Sequence, residues 1–226
     1  MKKKGIFITL VLVIGLMGTW SWAEPSGVTT PTAADVIKQI QKTYGGGSFS
    51  AAFEQTSTLK AMDITDTASG RAYFLEPGMM RWEYTAPEPQ QIITNGTKLW
   101  IYKPLEHQVM VGDAPALFGD GQGVNFLAAI STIEEKSSVT IDPERTGQDV
   151  LALKLVPNSR TADLAVIFIY VLKKSGLIQA IETINTYEDS TRIVFSDIRL
   201  GDKIDPALFS FEPPSDADIM VIDQPN

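Results

Sequence analysis

The 226-residue chain contains no cysteine and a single histidine, His107. Without thiols there is no disulfide, no thiolate nucleophile and no cysteine-based metal centre, and one imidazole builds neither a Ser-His-Asp triad nor a zinc site. Positive charge is also scarce, with 19 basic residues against 27 acidic ones and a net charge of −8. That balance opposes binding to nucleic acid or to an anionic membrane surface. Beyond Trp22 no apolar run is long enough and free enough of charge to span a bilayer.

The remaining motifs carry little chemistry. His107, between Glu106 and Gln108, reads as a solvated residue of an edge or turn. The carboxylate groups Asp63 with Asp66, Glu134 with Glu135, and Asp216 with Asp218 do not match a twelve-residue calcium loop, so they read as solvated turns. The glycine-rich stretch Gly119-Asp120-Gly121-Gln122-Gly123 lacks the Lys-Ser or Lys-Thr of a phosphate loop and reads as a hinge. Asn95-Gly96-Thr97 has the glycosylation pattern, but Asn-Gly between two apolar runs is first a hairpin turn. No catalytic residue, metal ligand or cofactor is assigned, and the chain is not read as an enzyme.

What the sequence does contain begins with a leader. Lys2, Lys3 and Lys4 precede an apolar stretch from Gly5 to Trp20, and Ser21 and Ala23 supply the small residues of a cleavage site, so residues 1–23 are expected to be a cleaved secretory signal. No cysteine stands at the exit to take a lipid anchor. Removing the three lysines leaves 16 basic residues against 27 acidic ones, a charge near −11. Residues 24–226 are then long enough for one domain stabilised by burial alone.

Thr32 is placed to cap a helix over residues 33–44, in which Val36, Ile37, Ile40 and Tyr44 share one face. Gly45, Gly46 and Gly47 end it, since three glycines cost too much backbone entropy to continue. From Phe49 the pattern changes to period two. Strands are expected at about 48–59, 63–75, 79–85, 89–94, 97–102, 106–111, 136–142, 149–156, 164–173, 176–186 and 190–199, joined by turns such as Pro77-Gly78, Pro87, Asn95-Gly96, Lys174-Ser175-Gly176 and Glu188-Asp189-Ser190. Residues 112–132 break the pattern and read as a helical insertion, and Asp205-Pro206 starts a last helical turn.

About eleven consecutive strands with short connections make an antiparallel sheet whose accumulated twist curls it. The expected fold is mainly β (α+β): a curved antiparallel sheet forming an incomplete barrel, covered by a helical lid drawn from residues 33–44 and 114–130. Alternation places Met80, Trp82 and Tyr84 on one face of their strand and Arg81 and Glu83 on the other; Phe49, Ala51 and Phe53 likewise share a face. The strands around Leu99–Tyr102 and Leu164–Leu172 are apolar on both faces.

The stretch Met80-Arg81-Trp82-Glu83-Tyr84, followed by Pro87-Glu88-Pro89-Gln90-Gln91-Ile92-Ile93, Asn95-Gly96, Leu99-Trp100-Ile101-Tyr102, Pro104 and Gln108-Val109, resembles the outer-membrane lipoprotein carrier family, usually called LolA. The resemblance extends to Phe49-Ser50-Ala51-Ala52-Phe53-Glu54-Gln55, to Pro77, and to Phe209-Ser210-Phe211-Glu212-Pro213-Pro214 with Asp218-Ile219, which covers essentially all of residues 24–226.

The resemblance implies a periplasmic, monomeric carrier whose apolar cavity holds the acyl chains of lipoproteins. Cargo would come from an inner-membrane ATP-driven transporter and pass to an outer-membrane receptor. Each methylene moved into water costs about 0.8 kcal/mol, so unassisted transfer of several chains would be negligibly slow. The residues expected to line the cavity are Phe49, Phe53, Met80, Trp82, Tyr84 and Trp100 from the sheet and Phe126, Leu127 and Ile130 from the lid, and Met79, Met80 and Met110 could adapt to chains of varied shape. The alternative is a lipid- or lipoprotein-sensing regulatory domain of the same fold. Where many members of the family carry a basic residue before the proline matching Pro77, this chain has Glu76. A carboxylate cannot donate to lid carbonyls, so Glu76 is the candidate for a different lid control, capping lid amides or pairing with a base.

Overall fold

In the computed structural model the described residues are 31–45, 47–114, 133–159 and 164–222. Helix α1 (Ala33–Tyr44) starts where Thr32 caps it reciprocally: the Thr32 hydroxyl accepts from the Asp35 N–H at 3.2 Å, and the Asp35 carboxylate accepts from the Thr32 N–H at 3.0 Å. The Thr32 hydroxyl and backbone bonds hold the Asp35 carboxyl below its ordinary value. Val36, Ile37, Ile40 and Tyr44 are its buried face, the spacing expected of an amphipathic helix. The helix stops at Gly45, where a Cβ would stand 2.7 Å from the Gln41 carbonyl oxygen.

Twelve strands follow: β1 (Ser48–Leu59), β2 (Ile64–Leu75), β3 (Met79–Ala86), β4 (Gln90–Asn95), β5 (Lys98–Lys103), β6 (Gln108–Asp113), β7 (Ser137–Ile141), β8 (Val150–Pro157), β9 (Val166–Leu172), β10 (Ile178–Ile184), β11 (Ser190–Leu200) and β12 (Asp218–Val221). They form one sheet in the order β12-β6-β5-β4-β3-β2-β1-β11-β10-β9-β8-β7. The sheet is open and curved, with β7 and β12 as its edges. Every pairing is antiparallel except the last, where β12 runs parallel to β6 and pairs Met220 with Met110. One helical turn, Ile133–Lys136, leads into β7, and the turn expected at Asp205-Pro206 is Pro206–Phe209.

The eleven expected strands are present within a few residues, and β12 is a twelfth. It was missed because four residues, Asp218-Ile219-Met220-Val221, carry no alternation to read and all are exposed. Gly112 and Asp113, expected to open the insertion, complete β6 instead; Ala114 follows, its N–H bonded to the Thr97 carbonyl, and residues 115–132 lie outside the described residues.

The hairpin reading of Asn95-Gly96 holds: Gly96 sits at φ +88° between β4 and β5, and the Asn95 side-chain oxygen accepts from the N–H groups of Thr97 and Lys98 at 3.0 and 2.8 Å. His107 falls in a turn, in a left-handed conformation at φ 49°, and its Nδ1 lies 3.1 Å from Asp216.

The two faces of the sheet are packed differently. On the inner face α1 joins one large cluster with Leu151, Leu153, Leu155, Ile167, Ile169, Val171, Ile178 and Ile181 from β8 to β10, Ile193 and Phe195 from β11, and the aromatic residues of β1 to β3. The helix is tied down at its C-terminal half: Tyr44 Oη accepts from the Ile178 N–H at 2.9 Å, and Thr43 donates to the Ser175 carbonyl at 3.3 Å. On the outer face the chain after β11 crosses β3 and β4, burying Ile93 and Phe209 completely. A separate outer cluster of Ala152, Phe168, Tyr170 and Ala180 lies under Arg145, 3.9 Å from the Phe168 ring centre, and Arg192, 4.4 Å from that of Tyr170. Strand β9 is apolar on both sides because both sides are covered, by the inner cluster and by the outer one.

Candidate functional site

Strand register puts one member from each of β1, β2 and β3 at successive levels of the inner face. The first level is Phe49, Phe74 and Met80, and the second is Ala51, Ala72 and Trp82. The third is Phe53, Gly70 and Tyr84, joined by Phe195, the β11 partner of Phe53. Alternation along β1 and β3 therefore delivers Phe49, Phe53, Met80, Trp82 and Tyr84 to one surface.

The aromatic rings interlock. Phe49 stacks on Phe74 with centroids 4.3 Å apart, Phe53 meets Trp82 edge-on at 4.8 Å and Tyr84 at 4.9 Å, and Trp82 meets Phe74 at 5.6 Å. Met80 and Trp82 are wholly buried. Small residues stand between the rings: Ala51 and Ala72 are buried at the second level, and Gly70 stands at the third. At Gly70 the β2–β3 ladder slips by one residue, and a Cβ would run into the Glu83 carbonyl oxygen.

Beyond Phe53 the same face turns polar. Tyr84 Oη donates to Gln55 at 2.9 Å, Gln55 Nε2 donates to Ser57 at 3.1 Å, and Ser57 and Thr191 are 3.3 Å apart. Burial pushes the Tyr84 phenol up to about 12, so it stays a neutral donor throughout the ordinary pH range. A cleft of about 380 Å³ lies nearby, lined by Glu54, Gln55, Thr56, Thr67, Ala68, Ser69, Ala86 and Pro87, of which Gln55 alone belongs to this band.

On the other side of β3 the inner face continues through Ile92, Ile101 and Met110, which lie in register across β4 to β6 and are only half-buried.

One expected cavity residue lies elsewhere. Trp100 pairs with Ile93 and Val111, which share the outer face with Arg81, and its ring sits 6.5 Å from that of Phe211. The strand is apolar on both faces, so alternation alone could not orient it, and Ile101 takes the inner position. Met79, likewise, lies opposite Met80. Phe126, Leu127 and Ile130 lie outside the described residues. Glu76 lies in the β2–β3 turn, where its backbone N–H donates to the Gly47 carbonyl at 2.7 Å and ties that turn to the segment leaving α1. Its carboxylate pairs with no described residue.

The residues that sequence reasoning missed are Gln55, Ser57, Thr191, Phe74 and Gly70. Gln55 and Ser57 continue the period-two face of Phe49 and Phe53 and were legible there, and a glycine inside a strand signals a bulge or a close approach. Thr191 needed the pairing of β1 with β11.

Among the described residues no cluster of His, Asp and Glu could hold a metal ion. The site offers apolar surface with a few hydrogen-bonding groups, which suits binding rather than bond-breaking chemistry.

Residues 46–212 match the family model described as outer membrane lipoprotein carrier protein LolA. The chain belongs to this family. An outer-membrane lipoprotein carrier protein from Chromobacterium violaceum is 30% identical over 199 residues, spanning 88% of this chain and 93% of the relative. One from Methylococcus capsulatus is 31% identical over 159 residues, spanning 67% of this chain and 71% of the relative. Among solved structures, an uncharacterized conserved protein from Thermus thermophilus superposes with a TM-score of 0.55 at 14% identity, covering 84% of this chain and 99% of that one, which speaks for the fold alone.

Proposed function

We propose that this member of the LolA family is a periplasmic carrier that binds the acyl chains of lipoproteins released from the inner membrane and delivers them to the outer membrane. The observation that carries the reading is the inner face of an unclosed sheet, aromatic under α1 and half-exposed along Ile92, Ile101 and Met110. An open sheet can widen without breaking a closed ring of strand pairings, and α1 is held over it by side-chain packing and a handful of hydrogen bonds.

Acyl chains enter from the half-exposed side and replace the contacts that α1 makes with the aromatic levels. Burial of the chains offsets loss of those contacts, since both are apolar surface removed from water. The carrier acts as a monomer and catalyses no reaction. It receives cargo from an ATP-driven transporter and yields it to a receptor. Glu76, on the turn bonded to the chain leaving α1, is a charged control point for opening. Glu76→Gln should change the rate of cargo release, and an unchanged rate would remove Glu76 from the mechanism.

The test is release: the purified protein is added to energised spheroplasts of its own source. Acylated lipoprotein recovered in soluble stoichiometric complex with it supports the reading. No release despite a working transporter would turn the assignment toward a lipid-sensing regulatory domain of the same fold.

A further inference from the structure

Trp82 is 0% exposed, and its indole Nε1 has no hydrogen-bond acceptor. It is the one buried side-chain nitrogen or oxygen left in that condition among the described residues. A buried donor without a partner is costly enough to be rare in native proteins, and one retained in a binding face points to a partner that arrives with the ligand. Phenylalanine would fill the apolar level between Met80 and Tyr84 without that cost. The polar band begins just past it: Tyr84, whose hydroxyl donates to Gln55, stands next to Trp82 on the same face of β3.

We propose that Trp82 is a subsite for the carbonyl oxygen of an acyl ester or amide, with the indole N–H donating to it. The acyl tails then run along Met80, Phe74 and Phe49, and the polar linkage stands toward Gln55, Ser57 and Thr191. This inference rests on the carrier reading and adds a direction and a chemical requirement: the face distinguishes acyl-linked chains from hydrocarbon of equal length. Hydrocarbon tails alone cannot satisfy the indole, whereas every ester- or amide-linked chain can.

The test compares two dialkyl-glyceryl peptides, one ester-linked and one ether-linked, which differ in the acceptor carbonyls and match in chain length. Wild type should bind the ester form about fivefold to tenfold more tightly, the worth of one neutral hydrogen bond. Trp82→Phe should bind the ester and ether forms equally, losing the fivefold to tenfold preference of wild type.

A second readout is independent of affinity. In ¹H–¹⁵N spectra the Trp82 indole signal should move downfield with the ester ligand and not with the ether ligand, while Trp100, on the outer face, stays in place. Equal binding of both ligands by wild type, with a stationary Trp82 signal, would show that the indole is satisfied by a neighbouring ring face, and would overturn the subsite while leaving the carrier intact. No binding of either ligand to wild type would overturn the carrier reading and the subsite together.

Discussion

The inner face of the sheet has two halves built to different standards. Under α1, from β8 round to β3, the side chains are sealed: Leu153, Ile169, Met80 and Trp82 are 0% exposed. Across β4 to β6 and β12 the same face carries Ile92, Ile101 and Met110 only half-buried, and Met220 at the edge is 50% exposed. Both halves belong to one continuous sheet, and they differ in how deeply their inner side chains are buried. A sealed half supplies the folding free energy, and a half with fewer buried contacts gives a ligand a low-cost point of entry. A carrier needs both.

That contrast can be broken first by cutting into the sealed half. Trp82→Ala should cost about 3–5 kcal/mol of stability and Ile37→Ala about 2–5 kcal/mol, measured as shifts in the denaturant midpoint. Met110→Ala, on the other half, should cost less than either, about 1 kcal/mol or below, yet weaken binding of an acylated peptide. Equal losses from Met110 and Ile37 would erase the distinction.

Next in size is Gly70→Ala. The new methyl has no room against the Glu83 backbone, so β2 and β3 must part, and destabilisation of several kcal/mol is expected although only a methyl is added. Retention of the wild-type midpoint would mean that the close approach of β2 to β3 is not a tight constraint.

Alkaline titration sharpens the picture at both ends of the aromatic stack. Burial lifts Tyr44 and Tyr84 from an ordinary 10.0 to about 12. Each phenol keeps its proton longer when folded, so its contribution is whole below pH 10 and is lost as the pH rises toward about 12. Chemical denaturation across that range should show stability falling with pH, and Tyr84→Phe should flatten the slope. The smallest effect belongs to the cap: Thr32→Ala should cost about 1 kcal/mol by thermal melting, with binding unchanged.

Much of this was legible in the sequence because period two and turn chemistry act locally. The α1 boundaries, the β1 span and the shared face of Met80, Trp82 and Tyr84 follow from alternation and capping. Trp100 was not legible, because Leu99-Trp100-Ile101-Tyr102 is apolar at every position and its outer side is covered by a segment about a hundred residues later, around Phe211. The polar band was half legible: Gln55 and Ser57 sit on the right face of β1, but their meeting with Tyr84 and Thr191 depends on the pairing of three strands. β12 was invisible, since a four-residue edge strand owes its existence to β6 and not to its own pattern.

The most direct test of the central claim is to bind a dipalmitoyl peptide carrying a photoreactive diazirine in its acyl chains, irradiate, and map the adducts by mass spectrometry. The account predicts adducts at Met80, Trp82, Tyr84, Ile92, Ile101 and Met110 and none at Trp100, Tyr102 or Phe168. Adducts concentrated on those three outer residues would contradict it and place the cargo on the other face of the sheet.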